Sequence, residues 1–291
     1  MSTGSRFSPI LVPLDGSEPA ASVAPYVGRL ARRLDADVNL LGVVPPPPPD
    51  LPLEVTGATP TLTMQYLAGL KGQLEAVPLR VRTEAAEGQA SVEIVKRAHA
   101  GECGLVALAT RGRSAVGPNL LGITTDRVLR SCPVPVLIVP PAEEGAAGPP
   151  EDEVNVIVVG LDGSEAATSS IEPAHELAQA LGVGMILVRA AAPVDVLGGA
   201  ATYFGLVSGH ARNYLQMVAA DLLSDGLEVE TVVGPGSPQE RLLEVADENP
   251  GALLVLSTRG WSNREGWALG GVTDRVVRSA RHPVLVIPPP A

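Results

Sequence analysis

The chain repeats itself, and this limits what it can fold into more than any other feature. Residues 10–17 read ILVPLDGS, and residues 157–164 read IVVGLDGS. Residues 108–141 read LATRGRSAVGPNLLGITTDRVLRSCPVPVLIVPP. Residues 256–289 read LSTRGWSNREGWALGGVTDRVVRSARHPVLVIPP, identical at 18 of 34 positions. The offset is 147 residues at the first match and 148 at the second, so one net insertion separates the halves. A repeat this long, present twice, means duplicated domains rather than a solenoid of short units. The length of 291 residues agrees, since soluble domains typically run to about 100–200. Residues 140–152, PPAEEGAAGPPED, are rich in Pro, Gly, Ala and acid without apolar periodicity, the composition of a linker. The expected organisation is one domain over 1–141, a linker over 142–152 and a second domain over 153–291.

Each half alternates strand and helix. In the first, the apolar run 10–14 predicts a buried strand. Asp15-Gly16-Ser17-Glu18-Pro19 then turns into a helix, with Ser17 placed to cap it and Pro19 suited to its first turn. Val23, Tyr26, Val27, Leu30 and Leu34 recur at helical spacing. Further strands are expected at 38–44, 79–83, 105–109 and 136–139, and helices at 64–74, 91–99 and 124–131. The second half repeats the pattern, with strands at 156–161, 185–190, 229–233, 253–256 and 284–287. Its helices are expected at 166–181, 203–223, 238–247 and 273–279. β-Branched runs without alternation, separated by helices, indicate a parallel sheet covered on both faces. Right-handed crossovers then give two doubly wound α/β domains in tandem.

Composition removes several classes of function. A net charge of −11 is the wrong sign for a general nucleic-acid or anionic-membrane binder. No apolar run approaches the roughly 18 residues of a membrane span, and residues 1–9 have no apolar signal-peptide core. Cys103 and Cys132 are the only cysteines, without CxxC or Cys/His spacing, so neither a zinc site nor a disulfide framework is expected. The expected compartment is the cytoplasm. His99, His175, His210 and His282 share no metal-ligand spacing and read as structural, and Cys132, before a strand, reads as packing.

In a doubly wound sheet, ligands bind beyond the strand C-termini where the strand order reverses. The turns after strands one and four are therefore the places to search, and they are also the turns the duplication preserved best. After strand one, Asp15 and Asp162 each open an Asp-Gly-Ser-Glu turn. Such a carboxylate can form an Asx turn, or it can accept hydrogen bonds from the base or hydroxyl of a ligand. After strand four comes Ala109-Thr-Arg-Gly112, then nine residues, then Gly122-Ile123-Thr124-Thr125. The second half has Ser257-Thr-Arg-Gly260, nine residues, then Gly270-Gly271-Val272-Thr273. A glycine-bearing loop feeding a helix N-terminus offers backbone N–H groups and a favourable dipole to phosphate oxygens. The hydroxyls of Thr125 and Thr273 stand where they can add donors. Arg111, Arg113 and Arg259 read as solvated, Trp261 and Trp267 as packing, and Pro45–Pro49 as a rigid connector.

With these residues in view, each half resembles the universal stress protein family, over nearly the whole chain as a tandem pair. Nucleotide-binding members carry G-x2-G-x9-G-[S/T] in this loop, preceded by an aspartate after strand one. The resemblance implies a five-stranded sheet of order 3-2-1-4-5 and dimerisation through the last strand. It places Asp15 and Asp162 on the adenosine-contacting aspartate. Gly112 with Gly122, and Gly260 with Gly270, fall on the second and third motif glycines. Val43 and Ala190 fall on the strand-two position whose backbone meets adenine. The implied ligand is ATP or another adenine nucleotide, with Mg2+ as a companion ion. Two departures stand out. The first motif glycine is Ala109 or Ser257, and the motif Ser/Thr is Ile123 or Gly271.

The expected function is nucleotide binding in stress response or signalling, with a nucleotide-free scaffold and a slow ATP hydrolase as alternatives. A P-loop NTPase is excluded by the lack of any G-x4-G-K-[ST], and the second half has no lysine at all. No Ser/His/Asp or Cys/His constellation falls on matched turns of both halves. The short apolar strands 136–139 and 284–287, each flanked by prolines, are expected to pair the halves within one chain. A homodimer of the tandem chain is a further option. The two sites are expected to be unequal. Ile123 brings bulk beside the phosphates, whereas Gly271 leaves its N–H open and Ser257 offers a hydroxyl that Ala109 lacks.

Overall fold

The computed structural model describes residues 5–46, 59–75, 78–110, 121–140, 153–191, 200–258 and 269–289. The chain divides into two compact units, Met1–Glu151 and Asp152–Ala291. The expected linker over 142–152 lies outside the described residues.

In the first unit the apolar runs become strands β1 (Ile10–Leu14), β2 (Val38–Val44), β3 (Val81–Glu87), β4 (Leu105–Ala109) and β5 (Val136–Val139). All neighbours pair in parallel, in the order β3-β2-β1-β4-β5. Every residue of β4 and β5 is buried, as continuous Val/Leu/Ile/Ala runs require, whereas β3 is partly exposed along its length at the sheet edge. The connecting helices are α1 (Glu18–Ala21), α2 (Val23–Arg33), α3 (Pro60–Leu74), α4 (Ala90–His99) and α5 (Ile123–Ser131). The expected apolar stripe of α2 is found, with Val23, Tyr26, Val27 and Leu30 buried.

The second unit repeats the design. Its strands are β6 (Val156–Gly160), β7 (Gly184–Ala191), β8 (Val229–Pro235), β9 (Ala252–Ser257) and β10 (Val284–Ile287). Its helices are α6 (Glu165–Thr168), α7 (Ile171–Leu181), α8 (Ala200–Ser224), α9 (Pro238–Asp247) and α10 (Gly271–Ser279). The parallel order is β8-β7-β6-β9-β10, so each unit has the 3-2-1-4-5 arrangement.

Three expected boundaries are corrected. The helix expected over 166–181 is two helices, α6 and α7, and α1 is likewise separated from α2. Proline explains both breaks. Pro25 and Pro173 lack the N–H that would bond the carbonyl four residues back, at Ala21 and Ser169, and their rings crowd that carbonyl. α3 starts at Pro60 rather than 64, because the Thr59 hydroxyl accepts from Leu62 N–H at 3.2 Å and caps the helix there. β3 runs to Glu87 rather than Thr83, because its pairing with β2 continues in register from Val38↔Val81 to Val44↔Glu87.

In each unit, strand order reverses between the first and fourth strands. Chains leave β1 and β6 toward one edge and leave β4 and β9 toward the other. The loops therefore part and open a crevice at the strand C-termini.

Candidate functional site

The turns after β1 and β6 are built by their aspartates. Ser17 N–H donates to Asp15 Oδ1 at 2.9 Å, and the Ser17 hydroxyl donates to the same oxygen at 2.5 Å. Ser164 N–H donates to Asp162 Oδ1 at 2.9 Å. Each serine oxygen then caps the following helix, accepting from Ala20 N–H at 3.3 Å and from Ala167 N–H at 3.1 Å. Gly16 and Gly163 follow the aspartates at φ of +78° and +84°, a conformation costly for residues with a Cβ. At Gly163 a side chain would also displace a neighbouring one. A Cβ there would lie 2.9 Å from Arg189 Nη1, whose guanidinium stacks over the Tyr214 ring at 5.0 Å. The Asx turn is thus present in both units, and both aspartates also line a crevice.

On the other side of each crevice stands an uncapped helix. Gly122 and Gly270 are the N-cap residues of α5 and α10, and neither makes a side-chain cap. The first intrahelical bonds are Asp126 N to Gly122 O and Asp274 N to Gly270 O. The glycine N–H groups themselves are committed, bonding Thr110 O at 2.9 Å and Thr258 O at 2.7 Å. The donors left at the helix start are the N–H groups of residues 123–125 and of 271–273, which have no acceptor among the described residues. Three open N–H groups at the positive end of a helix suit an anion.

The threonine hydroxyls have a different role from the one expected. Thr125 Oγ1 donates to Ala109 O at 3.1 Å, and Thr273 Oγ1 donates to Ser257 O at 2.7 Å. Both threonines are buried, at 5% exposure, and their protons tie the helix start to the strand end. Local spacing showed that a hydroxyl stood here, but the carbonyl it meets lies 16 residues away.

In the second unit the crevice has a volume of about 210 Å³ and is lined by Asp162, Ala190, Ser257, Gly270, Gly271 and Thr273. In the first it has a volume of about 90 Å³, lined by Asp15, Val43, Ala109, Gly122, Ile123 and Thr125. Apart from Ile123, which stands in the sequence as a departure from the motif, these are residues expected from sequence at the site, and the fold brings each group to one cavity. Gly112 and Gly260 lie outside the described residues, as do Arg111, Arg113, Arg259, Trp261 and Trp267. Sequence reasoning missed the apolar wall: Ala90 and Ile94 of α4, and Pro238 and Leu242 of α9. Their i, i+4 spacing put them on one helix face, but that pattern is the same for a residue facing a core and one facing a cavity.

Neither thiol provides a nucleophile. Burial pushes Cys132 up to about 11 and Cys103 up to about 12, so both stay protonated near neutrality. Among the described residues no three His, Cys, Asp or Glu side chains gather as a metal site, and no helix is long and apolar enough to cross a membrane. His282 and His175 meet Asp247 and Asp225, at 3.0 and 3.6 Å, away from either crevice.

Fold and site together define a tandem doubly wound α/β protein with a crevice at the switch point of each sheet. Chemically, each crevice offers a carboxylate, an apolar slot and a helix N-terminus, a combination that fits a ligand with an apolar part and an anionic part. A model of the universal stress protein family matches residues 6–140 and again residues 153–288, and the chain belongs to that family. The universal stress protein Rv2005c of Mycobacterium tuberculosis is 27% identical over 191 residues, which are 64% of this chain and 62% of that protein. The chain thus spans under two thirds of that relative's length. Rv1996 of the same organism, also a universal stress protein, is 25% identical over 303 residues, covering 95% of this chain and 94% of the relative. The crystal structure of a universal stress protein from Archaeoglobus fulgidus superposes with a TM-score of 0.70 over 96% of each chain at 19% identity, a likeness of fold.

Proposed function

We propose that this chain binds an adenine nucleotide, that its second crevice is the principal site, and that the bound state serves stress response or signalling. The observation that carries this reading is the convergence, in one cavity, of Asp162, an apolar slot and three open N–H groups at the start of α10. In this reading the base enters the slot between Ala190 and Leu242, Asp162 accepts from a ribose hydroxyl, and the phosphates meet the N–H groups of residues 271–273. Mg2+ accompanies the nucleotide through its phosphate oxygens, the usual mode for this ion, which keeps most of its water.

The ranking of the two crevices rests on a pair of substitutions. Ile123 is 63% exposed at the start of α5, an apolar side chain in the place a phosphate would take. Gly271 occupies that position in the second unit and leaves the helix end open. The same contrast favours a scaffold role for the first unit, with its smaller crevice.

Mass spectrometry of small molecules released from freshly purified protein tests the reading directly, and calorimetry with ATP and AMP tests affinity and stoichiometry. The expected result is an adenine nucleotide bound at about one per chain and weakened by Asp162→Ala. Absence of any released nucleotide, with no binding of ATP or AMP at millimolar concentration, would reject it. Linear phosphate release from ATP, abolished by the same variant, would instead establish the hydrolase.

A further inference from the structure

α10 carries Arg275 one turn beyond Gly271. Side chains on a helix lean toward its N-terminus, so this one folds back over the uncapped end. A Cβ placed on Gly271 would have Arg275 Nη2 as its nearest neighbour, at 3.7 Å. On its other side, Arg275 Nη1 donates to Gln239 Oε1 at 3.1 Å. Gln239 belongs to α9 and follows Pro238, which lines the crevice. The guanidinium therefore spans from the start of α10 to the start of α9, on the rim of the larger cavity.

Its partner is the unusual part. Other helical arginines spend their charge on carboxylates: Arg278 on Asp274 at 3.0 Å and Arg241 on Glu244 at 3.0 Å in the same unit, and Arg130 on Asp126 at 2.8 Å in the first unit. Among the described residues Arg275 meets only Gln239, and that amide is neutral. A neutral acceptor fixes the orientation of the fork and leaves its charge uncompensated. The charge lies beside three open N–H groups that already favour an anion.

We infer that Arg275, oriented by Gln239, holds the outer phosphate oxygens of a nucleotide in the second crevice, so that this unit discriminates by the length of the phosphate chain. The inference rests on the nucleotide reading above. It applies to one unit only. By the offset of the duplication, Arg127 matches Arg275, but Ile123 stands in place of Gly271, and the buried Ser91 stands in place of Gln239.

The test is calorimetry on the full chain with adenosine, AMP, ADP and ATP as separate ligands. Wild type is compared with Arg275→Gln, Arg275→Lys and Gln239→Ala. Arg275 is exposed, and thermal melts of the variants check that folding is intact. The expected result for Arg275→Gln is ADP and ATP binding weakened about tenfold, the effect of one solvent-accessible charge-assisted contact, with adenosine affinity unchanged. Arg275→Lys recovers part of the loss, and Gln239→Ala shows a smaller loss confined to the same two ligands. Arg275→Gln weakening adenosine as much as ATP, or leaving ATP unchanged, overturns the role. Wild type binding all four ligands equally also overturns it while leaving the nucleotide site standing. Wild type binding none of them removes both.

Discussion

Replacing Thr273 with valine separates a structural hydroxyl from a ligand-binding one. The Thr273 side chain is 5% exposed and donates to Ser257 O at 2.7 Å, joining the start of α10 to the end of β9. Valine has nearly the same shape, so no cavity opens, and the change removes essentially one hydrogen bond. Such a bond contributes about 0.5–1.5 kcal/mol net, and more where a buried acceptor loses its donor, so the expected cost is about 1–2 kcal/mol. With a urea slope of about 2 kcal/mol per molar, the unfolding midpoint falls by roughly 0.5–1 M. Urea titration followed by circular dichroism gives the unfolding midpoint. Calorimetry under native conditions supplies the second readout. Because the hydroxyl proton is already committed, ATP affinity should stay within about twofold of wild type. An unchanged urea midpoint together with a tenfold or greater loss of ATP affinity would refute the reasoning and restore the hydroxyl as a phosphate donor.

Four further outcomes are expected. A Cβ at Gly271 meets nothing closer than 3.7 Å, so Gly271→Ile should fold yet lower ATP affinity at least about tenfold, while Ile123→Gly raises the calorimetric stoichiometry toward two. Arg97, with its side chain 10% exposed between Glu84 and Glu93, should destabilise the first unit by about 2–3 kcal/mol when changed to Met; this is less than for a wholly buried pair because Glu84 is half exposed. The Arg97 hydrogen bond holds the Glu93 carboxyl below its unfolded value near 4.5, so its stabilisation is present above that pH and lost as pH falls through the folded value; acid unfolding followed by hydrogen exchange should show less of this loss in Glu93→Gln. Cys103 and Cys132, buried and held protonated, should resist Ellman's reagent at pH 8 in the native chain and both react in urea.

The strands, the turns and the position of the crevice were legible because their causes are local. A run such as Ile10–Leu14 needs burial on both faces wherever it lies, and Asp15-Gly16-Ser17 forms its turn from bonds two residues apart. The duplication confirmed each reading by presenting it twice, and a parallel sheet of this order leaves one place for a crevice. Tertiary structure decided what depends on partners distant in sequence. It directed the Thr125 and Thr273 hydroxyls to carbonyls 16 residues away, and it extended β3 along β2 beyond its alternating residues. It set Ile94 and Leu242 against a cavity rather than a core, and it brought Arg275 to Gln239 across 36 residues. Hydrophobic period and turn chemistry are properties of neighbouring residues. The partner a polar side chain meets is a property of the packed fold, because only packing fixes which distant acceptor comes within 3 Å.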